Sequence, residues 1–244
     1  MASIIIDTSS WIDLAKPKFS NILEKLEEYK EQGLLELLTN DIIVAEWYRN
    51  KEATITNIEQ SIKSHAKSAR KIVEFLEEPD KTNFENILNN YKSKETIELD
   101  IANSHIERVE KLLNSSTITL IDDKLKIVMA NRAIQKLAPF HNSKNNMADA
   151  LIIFSAINWV NEFKLFQTSL MFISANHKEF AAKNDPGKIH PDIEANSQNA
   201  DLIFTNDIGR LIEVKEEYIF DEETFAEVQL WNHLYEQAEI ARGK

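Results

Sequence analysis

The sequence predicts an α/β fold in three layers, helix-rich, with a central, mostly parallel sheet and an all-helical insertion. Three observations carry this. The chain opens on the run Ile4-Ile5-Ile6, β-branched and unbroken, as a parallel strand buried on both faces requires. Only 4 Gly and 5 Pro interrupt 244 residues rich in Glu, Lys, Leu, Ile and Asn, so most of the chain favours helix. The element order is β-α-β-α, then a helical block, then α-β and a β-rich tail, the alternation that builds a parallel sheet covered by helices.

Ser3 to Ile6 is the first strand, and Asp7-Thr8-Ser9-Ser10 supplies turn and N-cap residues for a short helix carrying Trp11, Ile12 and Leu14. Asp7 therefore stands at the carboxyl end of a strand, the edge where open α/β sheets bind ligands. Asn21 to Gly33 is amphipathic, with Ile22, Leu23, Leu26 and Tyr29 inward and Gly33 as its stop. Leu34 to Leu38 is a second strand. Thr39-Asn40-Asp41 then caps a helix bearing Ile42, Ile43, Ala45, Glu46 and Trp47. From about Lys51 to Asn114 the pattern is polar and helical, two or three long helices broken once at Pro79-Asp80.

Thr117 to Ile121 reads as a strand or an extended connection, and Asp122-Asp123 caps a helix to about Leu137. Pro139 to Asn146 is a loop. Met147 to Phe163 is a strongly apolar helix, and Leu170 to Ser174 a buried strand. Ala200 to Thr205 and Leu211 to Val214 are strands around the turn signal Asn206-Asp207. Asp221 caps a last helix ending near Arg242, whose Phe225, Trp231 and Tyr235 serve the core or an oligomer contact. The expected division is an α/β domain of residues 1–50 and 115–244 around a helical insertion, 51–114, that binds substrate or partner.

Composition removes several function classes. With no Cys there are no disulfides, thiolate metal sites or Cys nucleophiles. No Gly-rich phosphate loop is present. The six His, His65, His105, His141, His177, His190 and His233, are scattered without metal-ligand spacing. A net charge of -12, from 28 Lys+Arg against 40 Asp+Glu, argues against broad nonspecific nucleic-acid binding but leaves room for a local basic patch. The apolar opening ends at Asp7, too short for a signal peptide, and no stretch approaches 18 apolar residues, so the expectation is a soluble cytoplasmic protein.

Three acids occupy positions where chemistry would place them. Asp7 ends the first strand, and Glu46 lies in the early turns of a helix. Asp149 sits between Ala148 and Ala150 at the start of the most apolar helix. Burying an unpaired carboxylate costs several kcal/mol, so Asp149 calls for a compensating cation, either a metal or a Lys/Arg. Each acid alone has a plainer reading as a helix cap or first-turn acid, worth about 0.3–1 kcal/mol through the helix dipole. Their joint occurrence favours a site.

These segments resemble the PIN-domain nuclease superfamily, including the VapC-type toxins and larger bacterial PIN-like proteins. Ile4-Ile5-Ile6-Asp7-Thr8-Ser9-Ser10-Trp11 resembles the family's opening motif. Asn40-Asp41-Ile42-Ile43-Val44-Ala45-Glu46 resembles the second, and Asp149-Ala150-Leu151-Ile152 the third. Met171-Phe172-Ile173-Ser174-Ala175-Asn176-His177-Lys178-Glu179-Phe180 resembles the fourth, and His190-Pro191 the short tail after it. The pieces occur in family order. Asn176 departs from the Asp often found there, Glu179 replaces a second Asp, and Ser174 replaces the usual Thr.

The resemblance implies a metal-dependent nuclease using Mg²⁺ or Mn²⁺, with Asp7 and Asp149 as main ligands and Glu46 and Asn176 binding directly or through water. Asn176 is read either as a ligand through its amide oxygen, weakening a second metal site, or as a helix cap. Ser9 and Ser174 would orient a carboxylate or a water, and Lys144 would meet the scissile phosphate or lie in solvent. Lys63, Lys67, Arg70 and Lys71 share a helix face that grips a phosphate backbone or is merely solvated. A second basic set, Lys124, Lys126, Arg132 and Lys136, reads the same two ways.

The favoured function is an endoribonuclease acting on structured RNA such as tRNA, in a toxin-antitoxin or phage-defence role, with an antitoxin or defence partner and a homodimer as further expectations. The alternatives are a DNase or flap-like nuclease on the same fold, and a degenerate PIN domain that binds RNA or protein without hydrolysis. A phosphotransferase with an Asp nucleophile fits poorly, because Ser9 stands where a second Asp is needed.

Overall fold

The computed structural model describes residues 2–141, 146–163, 168–198 and 200–210. The expected strand Leu211 to Val214, the last helix with Phe225, Trp231 and Tyr235, and Lys144 lie outside the described residues.

Strand β1 (Ala2–Ile6) leads into α1 (Thr8–Leu14), a 3-10 turn (Pro17–Phe19) and α2 (Ser20–Glu31). Gly33, at φ 67°, closes α2 with backbone bonds from Gly33 N to Lys30 O and Leu34 N to Tyr29 O. Only Gly adopts that conformation without strain. Strand β2 (Leu35–Thr39) follows, then α3 (Asp41–Val73) and α4 (Asp80–Asn114). After β3 (Thr117–Ile118) come α5 (Asp123–Ile134), capped by Asp122, and α6 (Met147–Phe163). The remaining elements are β4 (Thr168–Ile173), α7 (His177–Phe180), β5 (Ala181–Ala182), β6 (Asp185–Ile189), α8 (Pro191–Glu194) and β7 (Ala200–Thr205).

Five strands form a wholly parallel sheet in the order β3-β2-β1-β4-β7, flanked by helices in a three-layer arrangement. Strand β1 is central. Ile4, Ile5 and Ile6 are buried, as a strand covered on both faces demands. Helix α6 packs on β1, β2, β4 and β7, which explains why it is apolar nearly all round. The chain leaves β1 toward β2 on one side, while β4 adds on the other. The topological switch point thus lies between the carboxyl ends of β1 and β4, where α/β sheets open a crevice.

The helical block differs from the expectation in one respect. The helix begun at Asp41 runs 33 residues to Val73, across the boundary expected near residue 50, because no Gly or Pro interrupts it. Within the expected β-rich tail, a small antiparallel pair forms between β5 and β6, with Pro186-Gly187 inside β6.

Candidate metal-dependent site at the sheet edge

Asp7 is the N-cap of α1, and its position follows from the turn chemistry after β1. Its Oδ1 accepts from Ser10 N at 2.9 Å. Ser9 Oγ lies 3.0 and 3.1 Å from the two carboxylate oxygens, so its hydroxyl faces both. Ser174 Oγ donates to Asp7 Oδ2 at 2.6 Å from the end of β4. Asp7 and Ser174 are buried, while Ser9 is exposed. Asp7 is thus held from below by the fold and from the solvent side by one hydroxyl.

The network continues across the crevice. Asn176 N donates to Ser174 Oγ at 3.1 Å, and Asn176 Nδ2 donates to Asp149 Oδ2 at 3.0 Å. Asp7, Ser174, Asn176 and Asp149 therefore form one chain of hydrogen bonds from β1 through β4 to the first turn of α6. Asn176 here is a donor through its amide nitrogen, which leaves Oδ1 as its free acceptor function.

Burial pushes the Asp149 carboxyl above the ordinary Asp range. The Asn176 hydrogen bond opposes this, and the charges of Asp7, Glu46 and Glu179 add to the rise. Asp7, Glu46 and Glu179 therefore lie within electrostatic reach of Asp149. Glu46 is held by Thr8, whose Oγ1 donates to Glu46 Oε2 at 2.7 Å. Glu179 is buried. Thr8 was not legible as a site residue. Its signal was only its place between Asp7 and Ser9, and a tertiary partner 38 residues away decides its role.

Other expected site residues lie elsewhere. Lys63, Lys67, Arg70 and Lys71 are exposed on the outer part of α3. At 1.5 Å per residue they stand about 26–38 Å along the helix from Glu46. A cavity of about 420 Å³ near them is lined by Arg70, Val73, Glu74, Lys81, Glu85, Leu88 and Asn89. Arg132 cannot serve a basic face: it is buried, donating to Ala138 O and Asp192 O at 2.8 Å and lying over the Phe154 ring. Lys126 pairs with Asp123 at 3.0 Å. His190 accepts from Asp192 N as the cap of α8 and stacks on His141.

Among the described residues, no three His, Asp or Glu side chains stand together as an assembled metal-binding group. The donor chemistry nevertheless suits a hard divalent cation. The crevice offers carboxylate, hydroxyl and amide oxygens, and the charged neighbours that raise the Asp149 carboxyl are all acids.

No curated protein and no solved structure matches this chain. The sequence pattern of the PIN domain matches residues 4–180, a span from β1 through the end of α7 that takes in all four acids, Ser174 and Asn176. PIN domains are in general metal-dependent nucleases. With a match over most of its length and a wholly parallel sheet flanked by helices, this chain belongs to the PIN-domain family.

Proposed function

We propose that the protein is a metal-dependent endoribonuclease that cleaves structured RNA, in a toxin-like or phage-defence role in the cytoplasm. The observation that carries the reading is the hydrogen-bonded chain from Asp7 through Ser174 and Asn176 to Asp149 at the carboxyl edge of the sheet, with Glu46 and Glu179 near enough to raise the Asp149 carboxyl. A protein that needed only packing would gain by replacing such acids.

Asp7 and Asp149 hold Mg²⁺ or Mn²⁺, with Glu46 and Asn176 completing the set directly or through water. The cation, when bound, supplies an activated water and offsets charge developing on the phosphate. Ser174 and Ser9 fix the Asp7 carboxylate, Thr8 fixes Glu46, and Asn176 orients Asp149. Lys144 is proposed to meet the phosphate. The exposed cations Lys63, Lys67, Arg70 and Lys71 bind RNA backbone far from the cut. Their span of about 26–38 Å from Glu46 favours a folded RNA, such as one of tRNA size, over a short strand. The apolar side chains exposed near them, Ile72 and Phe75, suit an antitoxin or defence partner.

The test is cleavage of total RNA and of a single-stranded DNA panel with Mg²⁺ or Mn²⁺, against EDTA and against Asp7→Asn and Asp149→Asn. Metal-dependent RNA cleavage that either substitution lowers by about 10²-fold or more supports the reading. Activity that survives both substitutions sinks it, and cleavage confined to DNA moves the assignment to a DNase.

A second reading has one observation behind it, the lack of an assembled metal group among the described residues. A PIN domain acting as a binding module predicts RNA binding with neither cleavage nor Mn²⁺ binding.

A further inference from the structure

Glu46 and Asp149 sit on different helices, and a buried polar cluster joins those helices away from the acids. Asn40 caps α3 by accepting from Ile43 N at 3.1 Å through Oδ1, and its Nδ2 donates to Ser155 Oγ on α6 at 3.1 Å. Ser155 Oγ donates to Thr119 Oγ1 at 2.8 Å, which leaves the Thr119 proton for a carbonyl, and also lies 2.9 Å from Ile152 O within α6. Thr119, just past β3, sends both its N (2.7 Å) and its Oγ1 (3.0 Å) to Thr39 O at the end of β2. Asn40 is 0% exposed, and Thr119 and Ser155 are each 1% exposed.

The cluster sits in an apolar setting. Ile152, Ile153, Phe154, Ala156 and Ile157 of α6 are all buried. Apolar contact is non-directional and does not fix a helix's rotation or its slide along the sheet. Directional hydrogen bonds do, and buried polar networks are kept where they specify one arrangement. Alanine would satisfy packing at this point of α6, as Ala150 and Ala156 do nearby.

The spacing is symmetrical. Glu46 lies six residues after Asn40, and Asp149 six residues before Ser155. Each acid is thus about 9 Å along its helix from the joint. The joint thus ties together the two helices that carry Glu46 and Asp149, within about two turns of each acid.

We propose that Asn40, Ser155 and Thr119 form a brace that sets the separation of Glu46 and Asp149, and so tunes the cation site without touching it. The three are positioning residues. The inference rests on reading the acids as a cation site.

The test compares Ser155→Ala, Thr119→Val and Thr119→Ser in the full chain, by Mn²⁺ calorimetry without RNA and by the metal dependence of cleavage. Thr119→Val keeps the shape and deletes the hydroxyl, whereas Thr119→Ser keeps the hydroxyl. Outer supports of metal sites typically contribute 10–100-fold in affinity, so Ser155→Ala and Thr119→Val weaken Mn²⁺ about 10-fold while RNA affinity in EDTA is unchanged. Thr119→Ser binds Mn²⁺ within about 3-fold of wild type although its melting point also drops, which a merely structural role would not separate. Wild-type Mn²⁺ affinity in both hydroxyl-deleted variants overturns the brace. An unaltered chain that binds no Mn²⁺ overturns the cation-site reading and the brace with it. If one hydroxyl-deleted variant fails to fold, the other decides.

Discussion

Close to the sheet, α3 and α4 are pinned to the domain. Trp47, Tyr48 and Lys51 converge on Glu110, with Lys51 Nζ 2.7 Å from Oε2. His105 Nε2 meets Leu14 O at 2.9 Å, and Arg108 pairs with Glu27. Ala102, Ile106, Val109 and Leu113 are buried in the common core. Farther out, the same two helices leave Ile72, Ile87 and Ile97 more than half exposed, and Phe75, in the connection between them, is 84% exposed. The inner half answers to folding because Glu46 hangs from it. In the outer half, by contrast, these apolar side chains of the described residues are left in solvent.

The sharpest way to break this contrast is to truncate one isoleucine in each half. Ile106→Ala removes buried core and lowers stability by about 2–5 kcal/mol, while Ile97→Ala stays within about 0.5 kcal/mol. Equal losses in chemical denaturation would erase the distinction. Glu110→Ala tests the clamp and costs about 1–3 kcal/mol, because Trp47 and Lys51 lose their acceptor. Burial pushes the Glu110 carboxyl up, but the hydrogen bonds of Lys51 and Trp47 outweigh it and hold the group below the ordinary Glu value. Its contribution is therefore complete above the unfolded value and is lost as pH falls through the lower folded value. The gap between variant and wild type should close in acid, and a gap independent of pH would mean that packing dominates.

Reversing Lys63, Lys67 and Arg70 to Glu should leave stability within about 0.5 kcal/mol per site yet weaken RNA binding, with the salt slope reduced by about 2–3. Unchanged binding would remove the outer half from the substrate path. The smallest effect falls at the sheet edge. Burial, followed by Asp7, Glu46 and Glu179, raises the Asp149 carboxyl against the Asn176 hydrogen bond. Ionising it costs stability as pH climbs from the unfolded value through the raised one. In EDTA at pH 7, Asp149→Asn should melt a few degrees higher than wild type, with the advantage vanishing below about pH 4. A lower melting point at neutral pH would show that the carboxylate is compensated by the fold alone.

The sheet was legible because its signals are local. Ile4 to Ile6 and the apolar span from Met147 to Phe163 declare their burial residue by residue, and caps such as Asn40 and Asp122 mark where helices begin. The unbroken length of α3 was also present in the sequence, as the lack of any Gly or Pro from Asp41 to Val73. Other features have no local signal. Thr8 meets Glu46 only because β1 and β2 are neighbours, and Asn40 meets Ser155 across 115 residues. Arg132 looked like part of a basic surface, since its i,i+4 neighbour Lys136 is exposed, but a carbonyl of α8 and the Phe154 ring draw it inward. The β5–β6 pair escaped because two residues of pairing beside Pro186-Gly187 carry no periodicity.

The continuity of α3 also has a mechanical side. A 33-residue helix is a rod of about 50 Å, rooted at the Asn40 cap and carrying Glu46 near its root. A tilt of about 5° about that root moves Val73 by about 4 Å but Glu46 by under about 1 Å. Any displacement imposed at the outer end would reach Glu46 reduced by the ratio of these two distances from the root. Displacements of about 1 Å are the scale on which catalytic geometry is won or lost.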